Sequence, residues 1–204
     1  MTINIDALKG RRAQILSSGH TDKSAVLLPL INQESEWSIL FEKRAAHIKR
    51  QPGEICFPGG RMDLTDNNPG ETAIRETCEE LSLGVEDLEL IAPLDIMVSP
   101  FNSIIYPYVG IIKNPDKINP SLDEVERVFC VPLSFFMENA PLTEYLSMKV
   151  TASPDYPFDL IPHGKNYPFR EAKFPGHFYI WDSETIWGLT ARILHHFITL
   201  VKNP

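Results

Sequence analysis

The spacing of apolar and polar positions changes several times along the chain, and each change marks an element. "KSAVLLPLI" (23–31) and "WSILFEKRA" (37–45) are apolar-rich runs divided by the polar turn "NQESE", which predicts two strands. "GEICF" (53–57) predicts a short strand running into "PGG". From 68 to 82 the period lengthens to that of a helix, with Pro69 suited to a first turn that does not need its missing N–H. "LELIAPLDIMV" (88–98), "SIIYPYVGIIK" (103–113) and "VERVFCVPL" (125–133) predict three further strands. "SFFMENA" (134–140) predicts a short helix, "EYLSMKVTA" (144–152) a strand and "HFYIW" (177–181) a last strand. Residues 183–202 have helical spacing, with Ser183 as the expected cap. "INIDALKGRRAQILSSG" predicts a short N-terminal helix with Ile5, Leu8, Ile15 and Leu16 apolar and Gly19 as its stop. The stretch 153–176, rich in Pro and aromatics, predicts irregular chain long enough to carry function, and some of its rings would suit stacking on adenine. Strands surround two or three helices without strict βα alternation, so the expected class is α+β.

Composition narrows the partners. The chain has 204 residues, which suits a single domain over 1–204, and its net charge is −8. An acidic balance disfavours a nucleic-acid partner, and an anionic substrate would need a cation between itself and the protein. No run approaches the ~20 apolar residues of a membrane span, and the first residues lack the apolar core of a signal peptide, so a cytoplasmic protein with no membrane partner is expected. A homodimer is one assembly the sequence leaves open. Cys56, Cys78 and Cys130 have no CxxC spacing and are expected to be reduced, mostly buried thiols. His163, His177, His195 and His196 are read as packing or surface residues, and Trp181, Trp187 and Phe178 as core.

The chemistry gathers in "GGRMDLTDNNPGETAIRETCEELSL" (59–83), which places Glu76, Glu79 and Glu80 within one and a half turns. On a wheel of ~100° per residue the three share an arc of roughly 100°, with Ile74, Cys78 and Leu81 opposite. Glu76 and Glu80, one turn apart, repel by a few tenths of a kcal/mol, which a divalent cation would relieve. The preceding glycines let backbone approach a ligand. Clustered oxygens without Cys or His suit Mg2+ or Mn2+ rather than zinc. The plain alternative is a solvated acidic helix face.

"RETCEELSL", Arg75 to Leu83, resembles the core of the Nudix box, GX5EX7REUXEEXGU. Asp66 stands where the box has Glu, the gap from Asp66 to Arg75 is one residue longer, and Ser82 replaces the last Gly. Upstream, "LFEKRAAHIKRQPGEICFPGG" resembles the LLTXRSX3RX3GX3FPGG motif of the coenzyme A diphosphatase branch. Leu40, Arg44, Gly53 and Phe57-Pro58-Gly59-Gly60 match in register; Lys49 replaces an Arg, and Phe41, Glu42 and Ala45 depart. That branch commonly shows the same departures from the general box. "IWGLTARIL" (186–194) is similar to its terminal helix.

The resemblance implies the Nudix fold, with mixed β-sheets sandwiched between α-helices, and metal-dependent hydrolysis of the diphosphate bond of coenzyme A or its thioesters. The products would be 4′-phosphopantetheine, or its acyl form, and adenosine 3′,5′-bisphosphate. It implies Glu76 and Glu80 as ligands of Mg2+ or Mn2+, with the Gly60 carbonyl. Glu79 would hold a second ion or act on the water. Arg75 would orient a box glutamate, and Asp66 would tie down the loop. A further acid from outside the box would be Glu124 or Glu126. Arg44 and Lys49 would meet the substrate phosphates. Two other readings stand beside it: a Nudix hydrolase of another nucleoside diphosphate derivative, such as an ADP-ribose-like compound or a dNTP, and a nucleotide-binding module without catalysis.

Overall fold

The structure is a computed structural model that describes residues 9–10, 15–16, 21–33 and 35–202. The helix expected near the N-terminus lies for the most part outside the described residues. Strands β1 (Asp22–Gln33) and β2 (Glu36–Arg44) form the expected pair, antiparallel, with Leu30 opposite Ile39. Two short strands follow, β3 (Ile55–Cys56) on β2 and β4 (Gly59–Arg61) on β1. Helix α1 spans Pro69–Leu81.

β5 (Leu88–Pro93) and β6 (Met97–Ser99) replace the one strand expected over 88–98. Both pair with β7 (Ser103–Ile112), and the chain breaks between them after a register shift near Ala92. β7 runs parallel to β1, whereas β8 (Val125–Pro132) lies antiparallel on β2. The result is a mixed sheet in which β1 and β2 are central.

After the short helix α2 (Leu133–Glu138), β9 (Leu142–Met148), β10 (Ala172–Trp181) and β11 (Glu184–Ile186) make a smaller antiparallel sheet. β10 starts five residues earlier than the pattern predicts, because pairing with β9 carries Ala172 to Gly176 into the ladder. Ser183 is not a helix cap. It sits in the tight turn joining β10 to β11, where Asp182 has φ 51°, and helix α3 begins at Gly188 and runs to Lys202.

Period-two alternation along β1 and β2 feeds two cores. Ala25, Leu27 and Leu40 face α1 and pack with Ala73, Leu81 and Ile112. Leu28, Ile39 and Phe41 face the other way and pack with Phe136, Tyr179, Leu194 and Phe197. Each large apolar side chain fully buried in this way contributes roughly 1.5–3 kcal/mol. The large sheet is thus held between α1 on one side and α2, α3 and the small sheet on the other. This is the α+β sandwich expected.

Local chemistry delimits α1. Asn68 is extended (φ −155°) and its side chain accepts from the Glu71 N–H at 3.1 Å, while Asn68 Nδ2 donates back to Glu71 at 2.9 Å. At the other end Ser82 lies in the left-handed region (φ 55°) and Leu83 N–H closes onto the Cys78 carbonyl. The three cysteines are free. Cys56 and Cys78 are half-buried, but Cys130 is exposed, against the expectation of burial.

Two outcomes follow from these elements. Ser82→Gly should raise stability by about 0.5–1 kcal/mol in chemical denaturation, because Gly carries no Cβ penalty in the left-handed region. Asp87 is buried and accepts from Lys117 Nζ (2.6 Å), Asn114 Nδ2 (2.7 Å) and Gly84 N (3.1 Å), with Lys117 the leading cause of a carboxyl held below its usual range. A lowered folded pKa stabilises above the unfolded value of about 4, and that stability is lost as pH falls through the folded pKa. The stability gap between wild type and Asp87→Asn should therefore be full at neutral pH and shrink in acid, as acid-unfolding titrations would show.

Candidate active site

The site starts from two glycines. Gly59 pairs with Val26 across β4 and β1 at φ 149°, and a Cβ there would run into the Ala25 carbonyl and Val26 Cα. At Gly60 a Cβ would occupy the space of the Glu76 carboxylate. "FPGG" therefore lets β4 press between β1 and α1, and the Gly59 N–H donates to Glu80 Oε2 at 2.8 Å.

This contact changes the expected helix face. Glu80 is not on a solvated arc with its neighbours. It is buried at 3% exposure in line with Thr72, Ala73, Thr77 and Leu81, while Ile74 and Cys78 are only half-buried. The reason is that α1 packs across β1 and β4, so the flank carrying Glu80 is covered by strand. Burial, with Glu124 and Glu76 nearby, pushes Glu80 up to about 8, although the Gly59 N–H opposes this. Glu76 is half-buried and raised for the same leading reason, with Arg75 opposing.

Arg75 organises the acids. Its Nε and Nη2 donate to both oxygens of Asp66 at 3.1 and 3.0 Å. It also meets Glu76 Oε1 at 2.9 Å and Glu79 Oε2 at 3.3 Å. Asp66 accepts in addition from Asp63 N and Thr72 Oγ1, both at 2.8 Å, and these bonds, led by Arg75, hold its carboxyl well below the usual range. Asp66 thus closes the 61–68 loop onto α1.

A cavity of about 440 Å³ opens in front of these residues. Glu76, Glu80, Gly60, Arg44 and Glu124 all line it. Glu79 does not; it is 61% exposed and turned to Arg75. Lys49 is exposed and outside the lining, whereas Arg50 and Arg61 are in it. The two acids of "LDEVERVF" separate: Glu126 pairs with Lys43 at 3.5 Å away from the cavity, and Glu124 faces it. Glu124 is delivered by the 119–125 loop, in which Asn119 N and Ser121 N donate to the Leu81 and Glu80 carbonyls and the Glu124 carbonyl accepts from Ala45 N.

The motif glycine Gly53 has φ 72° and donates to the Arg44 carbonyl, folding the 45–54 loop so that Arg44 Nε reaches the Arg50 carbonyl. Trp187 is 46% exposed and lines the cavity, so it is not core. With Leu189 and Ile193 it forms an apolar wall, anchored by Thr190 Oγ1 on the Ile55 carbonyl at 3.1 Å. The "IWGLTARIL" resemblance was the signal for that wall. The aromatics of 153–176 pack on one another, Tyr156 on Phe158 and Tyr167 on Phe169 (ring centroids 5.0 Å in each pair), outside this cavity. His177 and His195 stack at 4.1 Å, also outside it.

One group escaped the sequence reading. Glu42 is 1% exposed near the end of β2. Burial, then the Glu80 charge, raises its carboxyl well above the ordinary value. Burial pushes the Cys56 thiol, paired with Glu42 across β2 and β3, up to about 12. Alternation along a strand predicted nothing about a position covered on both sides.

Among the described residues no group of three or more His, Cys, Asp or Glu side chains is arranged to hold a metal ion as it stands. Glu80 is turned to Gly59 and Glu76 to Arg75. The donor chemistry nevertheless fits a hard divalent cation. The donors are carboxylates and a glycine carbonyl, and one buried oxygen, Glu42 Oε1, has no hydrogen-bond partner.

The described site is thus an α+β sandwich whose crowded carboxylates share one cavity with arginines. The NUDIX domain matches residues 21–145, and the chain belongs to the Nudix hydrolase family. It is 30% identical to Nudix hydrolase 3 of Caenorhabditis elegans over 98% of this chain and 82% of that protein. It is 37% identical to the peroxisomal coenzyme A diphosphatase NUDT7 of Mus musculus, over 63% of this chain and 53% of that protein. A second such relative, ndx-8 of C. elegans, is 32% identical over 72% of this chain and 63% of its own length. The chain therefore spans less than two thirds of either diphosphatase. The crystal structure of a MutT/nudix family protein from Enterococcus faecalis shares the fold, with TM-score 0.52 and 12% identity over 93% of this chain and 66% of that one.

The glycine pair separates stability from site geometry. Gly59→Ala meets backbone and should unfold the protein or lower its Tm strongly. Gly60→Ala meets only the flexible end of Glu76, so Tm should stay within about a few degrees while hydrolysis falls. Thermal unfolding and a turnover assay on both variants check this.

Proposed function

We propose that this chain hydrolyses the diphosphate bond of coenzyme A or its thioesters, giving 4′-phosphopantetheine or its acyl form and adenosine 3′,5′-bisphosphate. The observation that carries this reading is the cavity itself. Carboxylates gather near Glu76 and Glu80, Arg44 and Arg50 supply cationic groups, and Trp187, Leu189 and Ile193 form an apolar wall. A polyanion with a long, largely uncharged arm needs those three surfaces together. The register of Arg44, Gly53 and "FPGG" with the upstream motif, and the two relatives named coenzyme A diphosphatases, support the same choice.

Glu76, Glu80 and the Gly60 carbonyl would hold Mg2+ or Mn2+, which when bound neutralises phosphoryl oxygens and acidifies water. Arg75 fixes Glu76 and spreads the charge of the acid cluster. Glu124, which lines the cavity, would be the acid from outside the box. Arg44 and Arg50 take the substrate phosphates, with Arg50 in the place expected for Lys49. Glu79, paired with Arg75 and outside the cavity lining, would have the smaller part in holding a second cation or acting on water. Among the described residues no helix is long and apolar enough to cross a membrane. A cytoplasmic location is proposed on composition alone, beside two relatives named peroxisomal.

The test is hydrolysis of coenzyme A with Mg2+ or Mn2+, products read by mass, against ADP-ribose and a dNTP. Coenzyme A should be cleaved to the two expected halves and the others slowly. Glu76→Gln should lower kcat by about a hundredfold or more with little change in KM, and Glu79→Gln by less. Turnover of the comparison substrates alone would discard coenzyme A and the Arg44 and Arg50 assignments. Binding with no turnover in saturating metal would leave a nucleotide-binding module.

A further inference from the structure

We infer that Glu42 is a positioning residue for the reaction: its buried carboxyl backs Glu80 from the core and sets where the Glu80 side chain stands when a divalent cation arrives. This rests on the reading of Glu80 as a ligand.

The placement is specific. β2 lies between β1 on one side and β3 and β8 on the other, and Glu42 sits opposite Cys56 on β3 and Val128 on β8. Its neighbours in the strand, Leu40 and Phe41, are core. Alternation puts it on the same face of β2 as Leu40, the face that packs against α1, so it lies under the helix that carries Glu80; it does not line the cavity, while Glu80 does. Glu80 thus has the Gly59 N–H on Oε2, and the buried Glu42 carboxyl, whose strongest charged neighbour is Glu80, on the strand side.

A purely structural role explains this poorly. Oε1 of Glu42 has no hydrogen-bond partner, so the group is incompletely satisfied on the buried face it shares with Leu40 and Val128. An apolar or short polar residue would avoid that cost. The upstream motif that this segment resembles has Thr at the position, a side chain two atoms shorter. The reach of Glu, not a polar atom as such, is what this chain adds. Groups behind a metal ligand orient it, and their loss weakens metal binding by about 10–100-fold.

Binding of Mn2+ to the full-length chain, without substrate, is measured by the EPR signal of the free ion for wild type, Glu80→Gln, Glu42→Thr and Glu42→Gln, with thermal unfolding as the control for folding. Glu42→Thr should weaken binding by about tenfold or more, and Glu42→Gln, which keeps the reach and can donate to Glu80, should stay within about threefold of wild type. Wild-type affinity in Glu42→Thr would overturn the inference. So would a loss in Glu42→Gln as large as in Glu42→Thr, which would make the charge of Glu42 itself the ligand. Glu80→Gln separates the two levels: if it binds Mn2+ as wild type does, the reading of Glu80 as a ligand fails first, and the role of Glu42 fails with it.

Discussion

The close approach of strand β4 to both β1 and α1 is the constraint on which the site depends. Two residues without side chains make it possible. Gly59 backs onto the Ala25 carbonyl in a backbone conformation that L side chains rarely adopt, and Gly60 leaves room for Glu76. Once β4 is there, its free N–H is the donor that holds Glu80. Apolar packing through Ala73 and Leu81 docks α1, but the backbone of β4 sets where its acids point.

Electrostatics then works against the fold. Glu42, Glu76 and Glu80 are withdrawn from water close together, which raises all three. Arg75 answers only part of this, since it also binds Asp66 and Glu79. The cluster lies in a chain that is already at −8, with Arg44, Arg50 and Arg61 lining the same cavity. Such a cluster is a poor stabiliser and a good receptor for a cation, because the ion removes the repulsion that folding imposes. Function and stability thus compete at the same few carboxylates.

The elements that were legible in the chain are those with local causes. Helix α1 was expected over 68–82 and spans Pro69–Leu81, because Asn68, Pro69 and Glu71 build its start from neighbours in sequence. The strands of the large sheet were legible through apolar runs. The misread boundaries have distant causes. Ser183 resembles a cap, yet the turn at Asp182 returns the chain into β11, and β10 extends back to Ala172 only because β9 lies beside it. Trp187 suggests core in the chain, and only the packing of α3 on β3 through Thr190 shows that it forms a cavity wall.

The sequence by itself determined the family, the order of most elements and the residue types of the site, since "RETCEE", "FPGG" and their spacing are local properties of the chain. Tertiary structure decided which acids meet. It separated Glu124 from Glu126 through the hydrogen bonds of the 119–125 loop to the end of α1. It left Glu79 in solvent and buried Glu80, and it put Glu42 on the face of β2 that α1 covers. The physical reason is that helical and strand periods define faces, whereas what covers a face is set by strands that pair from far along the chain.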